Sequence, residues 1–289
     1  MSAYHNSDWA ECYDLWVSKI FGSGPYEDIA IFEAILQQIL DTHPTSDDAR
    51  PVRIADIGSG SGRVLGDLQD YMKTSGRQFE YLGVEPGKPM LERAQRFCTE
   101  RSWNEGNVAV KWILGGAEDV AGKLLQEVDS VNLVIFAAGG ICHVTTDEGM
   151  QAFLRDVSRV LNEGGRAVVS ILNDFIPDQV AENQTPSQDL APEDNTVGEG
   201  PERLPSVDRP GEIYVKYPSK EIATGKIKTE EFRLDVEDGE GKALRSYVLK
   251  WDAKMFDEPG WIQAVGDAEL KIREVREGGI QRWYVLERA

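Results

Sequence analysis

Cysteine is scarce: Cys12, Cys98 and Cys142 are the only three in 289 residues, far apart and without a C-x-x-C pair. Disulfide frameworks and metal sites both draw on closer or even-numbered sets, so neither is expected. Positive charge is also short. Lys and Arg number 31 against 50 Asp and Glu, a formal net charge of -19, and basic residues nowhere form a long run. Nucleic-acid binding rests on clustered Lys and Arg that release counterions, so that partner class is set aside. Long apolar runs are missing too, with nothing near the roughly 20 residues that span a bilayer. The N-terminus, MSAYHNSDWAECYD, carries acids where a secretory signal carries an apolar stretch. A reduced, cytoplasmic protein with neither membrane nor nucleic acid as partner is expected.

Glycine is what the chain has where it matters. In "PVRIADIGSGSGRVLGDL", Val52, Ile54 and Ile57 read as a strand buried on both faces, and Val64, Leu65 and Leu68 recur at helical spacing. Gly58, Gly60 and Gly62 lie between them, where missing Cβ atoms permit a tight turn and close approach of a ligand. Strands at 79–86, 107–116, 131–140 and 164–172 then alternate with helices at 88–101, 117–126 and 147–161. Such β/α succession predicts a doubly wound, mostly parallel sheet with right-handed crossovers. An amphipathic stripe of Ile29, Phe32, Leu36 and Ile39 precedes the first strand.

After residue 175 the character changes. Residues 176–212 are rich in Pro, acids and small polar residues and predict a mobile loop or lid. Alternating segments follow, as in antiparallel strands with one wet face, and then a short helix and two strands around Gly278-Gly279. The expected divisions are a helical lid over 1–49, a ligand-binding core over 50–175, a loop and antiparallel cap over 176–250, and a helix with a strand pair over 251–289. Residues 1–24 and 176–212 flank the expected mouth and are expected to be mobile without ligand.

Dinucleotide enzymes use G-x-G-x-x-G, whose last glycine lets the helix pack close to a bound pyrophosphate. Here the spacing is G-x-G-x-G, and Arg63 stands where that last glycine would be. The departure fits a cofactor without a pyrophosphate. "DIGSGSGRV", "YLGVEPGKPML", "GGAEDV", "NLVIFAAGG" and "VLNEGGRAVVSIL" resemble, in order and spacing, the motifs of class I S-adenosylmethionine-dependent methyltransferases. The likeness covers about residues 50–175 and implies S-adenosyl-L-methionine as cofactor. It also implies a seven-stranded sheet whose last strands form an antiparallel pair.

The resemblance assigns roles residue by residue. Glu85 would accept hydrogen bonds from the two ribose hydroxyls, a bidentate task suited to a carboxylate. Gly58 and Gly60 would pass close to the methionine moiety, with Asp56 orienting their loop. Ser59, Pro86, Met90, Ala117, Ala137 and Ala138 fall on the motif positions along the cofactor. Glu118 and Asp119 are both candidates for the adenine amino group, and either could instead be an acid favoured by a helix dipole. Tyr13 and Trp16, at i and i+3, would pack over the sulfonium cation or serve as core residues of a docking helix.

Methyl displacement chiefly requires in-line placement and exclusion of water. His143 is the only histidine at the ligand edge, as base or as a satisfied structural residue, and Cys142 beside it reads as a small buried hydrophobe. The fourth motif, Ala137-Ala138-Gly139-Gly140, lacks the N/D-P-P-Y/F pattern of enzymes methylating planar nitrogens, and no acid cluster suggests a metal. A small-molecule acceptor remains, as in fungal secondary-metabolite enzymes, with a thiol favoured because it needs least help from a base and an amine or hydroxyl left open. The alternatives are an NAD-dependent oxidoreductase and a catalytically silent cofactor-binding partner subunit.

Overall fold

The computed structural model describes residues 2–21, 26–42, 50–176 and 200–289. Two helices, α1 (Ser7–Phe21) and α2 (Glu27–Thr42), lead into the alternating core. Its strands are β1 (Val52–Ile57), β2 (Phe79–Glu85), β3 (Val108–Leu114), β4 (Val131–Phe136) and β5 (Leu161–Leu172). Between them run α3 (Arg63–Thr74), α4 (Lys88–Glu100), α5 (Val120–Leu124) and α6 (Asp147–Val160). The expected helix over 117–126 is shorter than its pattern: a 3-10 turn, Ala117–Asp119, precedes α5. Thr146 caps α6 by accepting the Gly149 N–H at 3.0 Å.

A second sheet follows, made of β6 (Glu202–Pro205), β7 (Ile213–Lys216), β8 (Lys220–Thr224), β9 (Ile227–Glu237) and β10 (Ala243–Lys254). The chain then returns to the core through α7 (Glu258–Asp267), β11 (Leu270–Glu277) and β12 (Gln281–Arg288). The core sheet has seven strands in the order β11-β12-β5-β4-β1-β2-β3, parallel except where β12 pairs with β5 and β11. Strand order reverses between β1 and β4, and the carboxyl ends there open a crevice for ligand. One buried cluster joins α5, α6 and α7 to one face, and another joins α2, α3 and α4 to the other.

The two N-terminal helices pack in different places. Phe32, Ile35 and Leu36 of α2 belong to the core cluster. Trp9 and Cys12 of α1 instead bury against Tyr214, Phe232, Leu234 and Leu249 of the second sheet. Polar contacts secure that packing: Glu11 accepts from the Ser206 hydroxyl at 3.0 Å, the N–H groups of Val207 and Asp208 at 2.7 and 2.8 Å, and the Tyr214 hydroxyl at 2.8 Å.

Two expectations from composition need correction. Residues 200–212 are not a structureless loop, because Leu204 is buried in β6 and Asp208 pairs with Arg93 and Arg96 of α4. Tertiary partners supply the order that the local sequence lacks. The rest of the expected loop, residues 177–199, lies outside the described residues. The boundary placed at 250 falls within β10, which runs on to Lys254. All three cysteines are buried and unpaired. Among the described residues no helix is long and apolar enough to cross a membrane.

Candidate active site

A cavity of about 1190 Å³ lies at the carboxyl ends of the core strands, walled on its far side by α1 and β10. Single-ligand sites commonly run to about 300–1,000 Å³, so this one has room for a nucleoside-sized ligand and a second molecule. Gly58, Ser59 and Gly60 form part of its wall with Asp56, Ala137 and Ala138. Gly60 has φ +56 and would meet nothing within 4 Å through a Cβ. Backbone conformation requires glycine there, and the space in front is open. Ala138 also has positive φ, 51°, an uncommon conformation for alanine that places mild strain at the site.

Glu85, at the end of β2, is 4% exposed. Its carboxylate accepts the Gly60 N–H at 2.9 Å and the Gly87 N–H at 2.7 Å, one on each oxygen. Burial raises its pKa and the two N–H groups oppose that. Glu85 therefore ties the glycine loop to the start of α4, with further acceptor capacity on both oxygens. Asp56 is buried beneath the loop and accepts from the Tyr81 hydroxyl at 2.5 Å. Burial pushes its pKa up to about 7, against the Tyr81 hydrogen bond and the Arg63 charge.

A carboxyl whose folded pKa lies above its unfolded value, about 3.9, binds its proton more tightly in the native state. Its contribution favours folding at low pH and is lost as pH rises from about 4 through about 7. Asp56→Asn keeps an acceptor for Tyr81 without the charge. We expect it to melt higher than the wild type at pH 8 and equally at pH 4. Melting followed by circular dichroism checks this, and equal curves at pH 8 would mean that Asp56 carries no buried-charge penalty.

The glycine loop is braced from outside. Asp14 of α1 accepts from the Ser61 hydroxyl at 2.7 Å and from Arg93 Nε at 2.9 Å. Arg63, in place of a third motif glycine, makes a two-point pair with Asp28 of α2 at 3.0 and 2.7 Å. Its guanidinium also stacks 4.5 Å above the Tyr26 ring. Arginine thus ties α2 to the loop from the position where the dinucleotide motif has its last glycine.

His143 ends a 3-10 turn, Gly140–His143, and faces the cavity. Its Nδ1 lies 2.9 Å from the carbonyl oxygen of Asp252 in β10, and its Nε2 lies 2.8 Å from the Tyr4 hydroxyl. A carbonyl only accepts, so Nδ1 carries the proton and Nε2 is left as the acceptor. The ring is exposed to the cavity. Desolvation by the protein around it lowers the His143 pKa, against the Asp252 carbonyl, which favours the neutral ring. Tyr4 and Trp251 flank it edge-on, with centroids 5.2 and 5.4 Å away. Burial pushes the Cys142 thiol up to about 12, so it is not a thiolate nucleophile.

The structure brings together Tyr13, Trp16, Asp56, Gly58, Ser59, Gly60, Ala137, Ala138 and His143 on the cavity wall. Glu85 lies just behind it. Pro86 is exposed, while Met90 and Ala117 are buried away from the wall. Glu118 and Asp119 are exposed, the first folded back over Gly116 and the second over Gly122 in α5. Tyr4, Trp251 and the Asp252 carbonyl were not foreseen. A lone tyrosine near the N-terminus and a tryptophan within an alternating strand carry no local signal of a site.

The methyltransferase domain family matches residues 54–165, from β1 into β5. Over 288 residues the chain is 26% identical to N-methyltransferase FrzE of Cladobotryum sp, spanning 95% of this chain and 93% of that one. The chain carries a methyltransferase domain. Solved structures share its fold at low identity. A S-adenosylmethionine-dependent methyltransferase from Clostridium acetobutylicum ATCC 824 is 13% identical, with TM-score 0.62 over 96% of this chain and 98% of that one. The sugar N-methyltransferase KedS8 from Streptoalloteichus sp ATCC 53650 is 15% identical, with TM-score 0.60 over 94% and 92%. These likenesses favour neither alternative, the oxidoreductase or the silent subunit.

Proposed function

We propose that this methyltransferase transfers its methyl group to the nitrogen of a small-molecule amine. The observation that carries the reading is the state of His143: a neutral imidazole on the cavity wall whose accepting nitrogen meets the Tyr4 hydroxyl, itself at that wall. A thiol is attractive only where no base is at hand, and His143 removes that premise. An amine is protonated at neutral pH and must lose a proton before it can attack, which is work for such a base. The names of two similar proteins agree, since FrzE is called an N-methyltransferase and KedS8 a sugar N-methyltransferase.

S-adenosylmethionine, when bound, supplies a methyl group already activated on a sulfonium. The residues present suit it. Glu85 retains acceptor capacity for hydroxyls, the open face of Gly60 permits close approach, and the aromatic side chains of Tyr13 and Trp16 line the wall. Beyond them the wall of Trp251, Leu172 and Phe175 excludes water from the acceptor. The proposal is tested with acceptors that share one skeleton: phenethylamine, 2-phenylethanethiol and 2-phenylethanol, each followed by release of S-adenosylhomocysteine. Turnover of the amine above the other two is expected. Turnover confined to the thiol overturns the amine assignment.

A further inference from the structure

We propose that Tyr4 is a catalytic residue of this enzyme, passing the acceptor's proton to His143; the proposal rests on the amine reading above. Tyr4 lies in a 3-10 turn, Ala3–His5, held between the core and the second sheet. On one side its carbonyl oxygen would be 2.6 Å from a Cβ at Gly87, so glycine there permits the approach. On the other, Ser2 forms a β-bridge with Lys250 of β10. Between these anchors the ring reaches the cavity wall, and its hydroxyl meets His143 Nε2 at 2.8 Å. The lone pair that would serve as base is therefore already occupied, by a group that itself faces the cavity.

A phenol oxygen both donates and accepts. An ammonium at the acceptor site can give its proton to the Tyr4 oxygen as the Tyr4 proton moves to Nε2. The N–H electron pair stays on nitrogen as the lone pair that takes the methyl group. Tyr4 ends as it began and His143 becomes imidazolium, its Nδ1–H still donated to the Asp252 carbonyl. Burial, with Tyr13, Glu85, Glu230 and Cys142 nearby, keeps Tyr4 protonated, so the two transfers are concerted and no free phenolate forms. The groups facing the pair are those four and Asp252.

Tyr4→Phe and His143→Gln, made in the full chain, test the relay. The chain has only three histidines, so nitrogen NMR of labelled protein with S-adenosylhomocysteine can follow His143, assigned by its loss in His143→Gln. Removing a donor to the neutral ring should raise the His143 pKa in Tyr4→Phe. With phenethylamine as acceptor, kcat should fall by on the order of 10²-fold at pH 7. KM and cofactor affinity should hold, and the rate should recover as pH rises and the amine sheds its own proton. An unchanged His143 titration, a fully active Tyr4→Phe enzyme, or an equal loss at every pH overturns the relay. A wild type that turns over no amine overturns the amine reading, while the His143 titration still decides whether the pair exists.

Discussion

Glu85→Gln is expected to weaken S-adenosylhomocysteine binding by roughly ten- to a hundredfold, measured by calorimetry. The side chain does two jobs in one place. Its oxygens already accept the N–H groups of Gly60 and Gly87 at 2.9 and 2.7 Å, and on our proposal their remaining capacity meets the ribose hydroxyls. An amide keeps only one oxygen and turns its NH₂ toward one of those N–H groups. A buried donor is then left without an acceptor, at about 1–3 kcal/mol, and a charge-assisted bond to the ligand is lost at about 1.5–3 kcal/mol. The first cost falls on the free and the bound protein alike, so the second alone sets the change in affinity, roughly ten- to a hundredfold. Glu85→Asp retains the charge but shortens the reach and should fall between. An unchanged dissociation constant for Glu85→Gln would show that the carboxylate serves the loop alone.

Arg63→Ala is expected to cost up to about 3–5 kcal/mol of stability, because it removes the only cation paired with the buried Asp28 carboxylate among the described residues. The Asp28 side chain is 1% exposed, and both of its oxygens are held by the guanidinium. Replacing both partners, as Arg63→Met with Asp28→Leu, removes the charge together with its partner and should recover most of the loss. Urea denaturation of the single and double variants measures this. A single variant within 1 kcal/mol of the wild type would mean that the pair holds nothing together. The same position bears on cofactor choice, since Arg63→Gly restores the dinucleotide spacing and is expected to gain no NAD affinity.

The core was legible because each of its elements announces itself locally. Val52, Ile54 and Ile57 are buried in β1, as a parallel strand covered on both faces must be, and the glycines that follow do take positive φ. Met150, Phe153, Leu154 and Val157 share one buried stripe of α6, placed by their spacing alone. Ordered motifs on such a sheet were enough to indicate the family and its cofactor.

The acceptor side was not legible, and the reason is physical. His143 stood out as the one histidine at the ligand edge, but nothing near it in sequence sets its tautomer. Asp252 does that with a backbone carbonyl, a group every residue carries, from a strand 109 positions away. Tyr4, 139 positions away on the other side, supplies the hydroxyl. Residues 200–212 likewise lack apolar anchors of their own and gain order from Glu11, Arg93 and Arg96, which lie far off in the chain. Periodicity and motif spacing report what a segment buries by itself, and so they determined the sheet, the glycine loop and the cofactor class. The partners of each His143 nitrogen were decided only when folding brought the N-terminal turn, the fourth strand's end and β10 to one cavity.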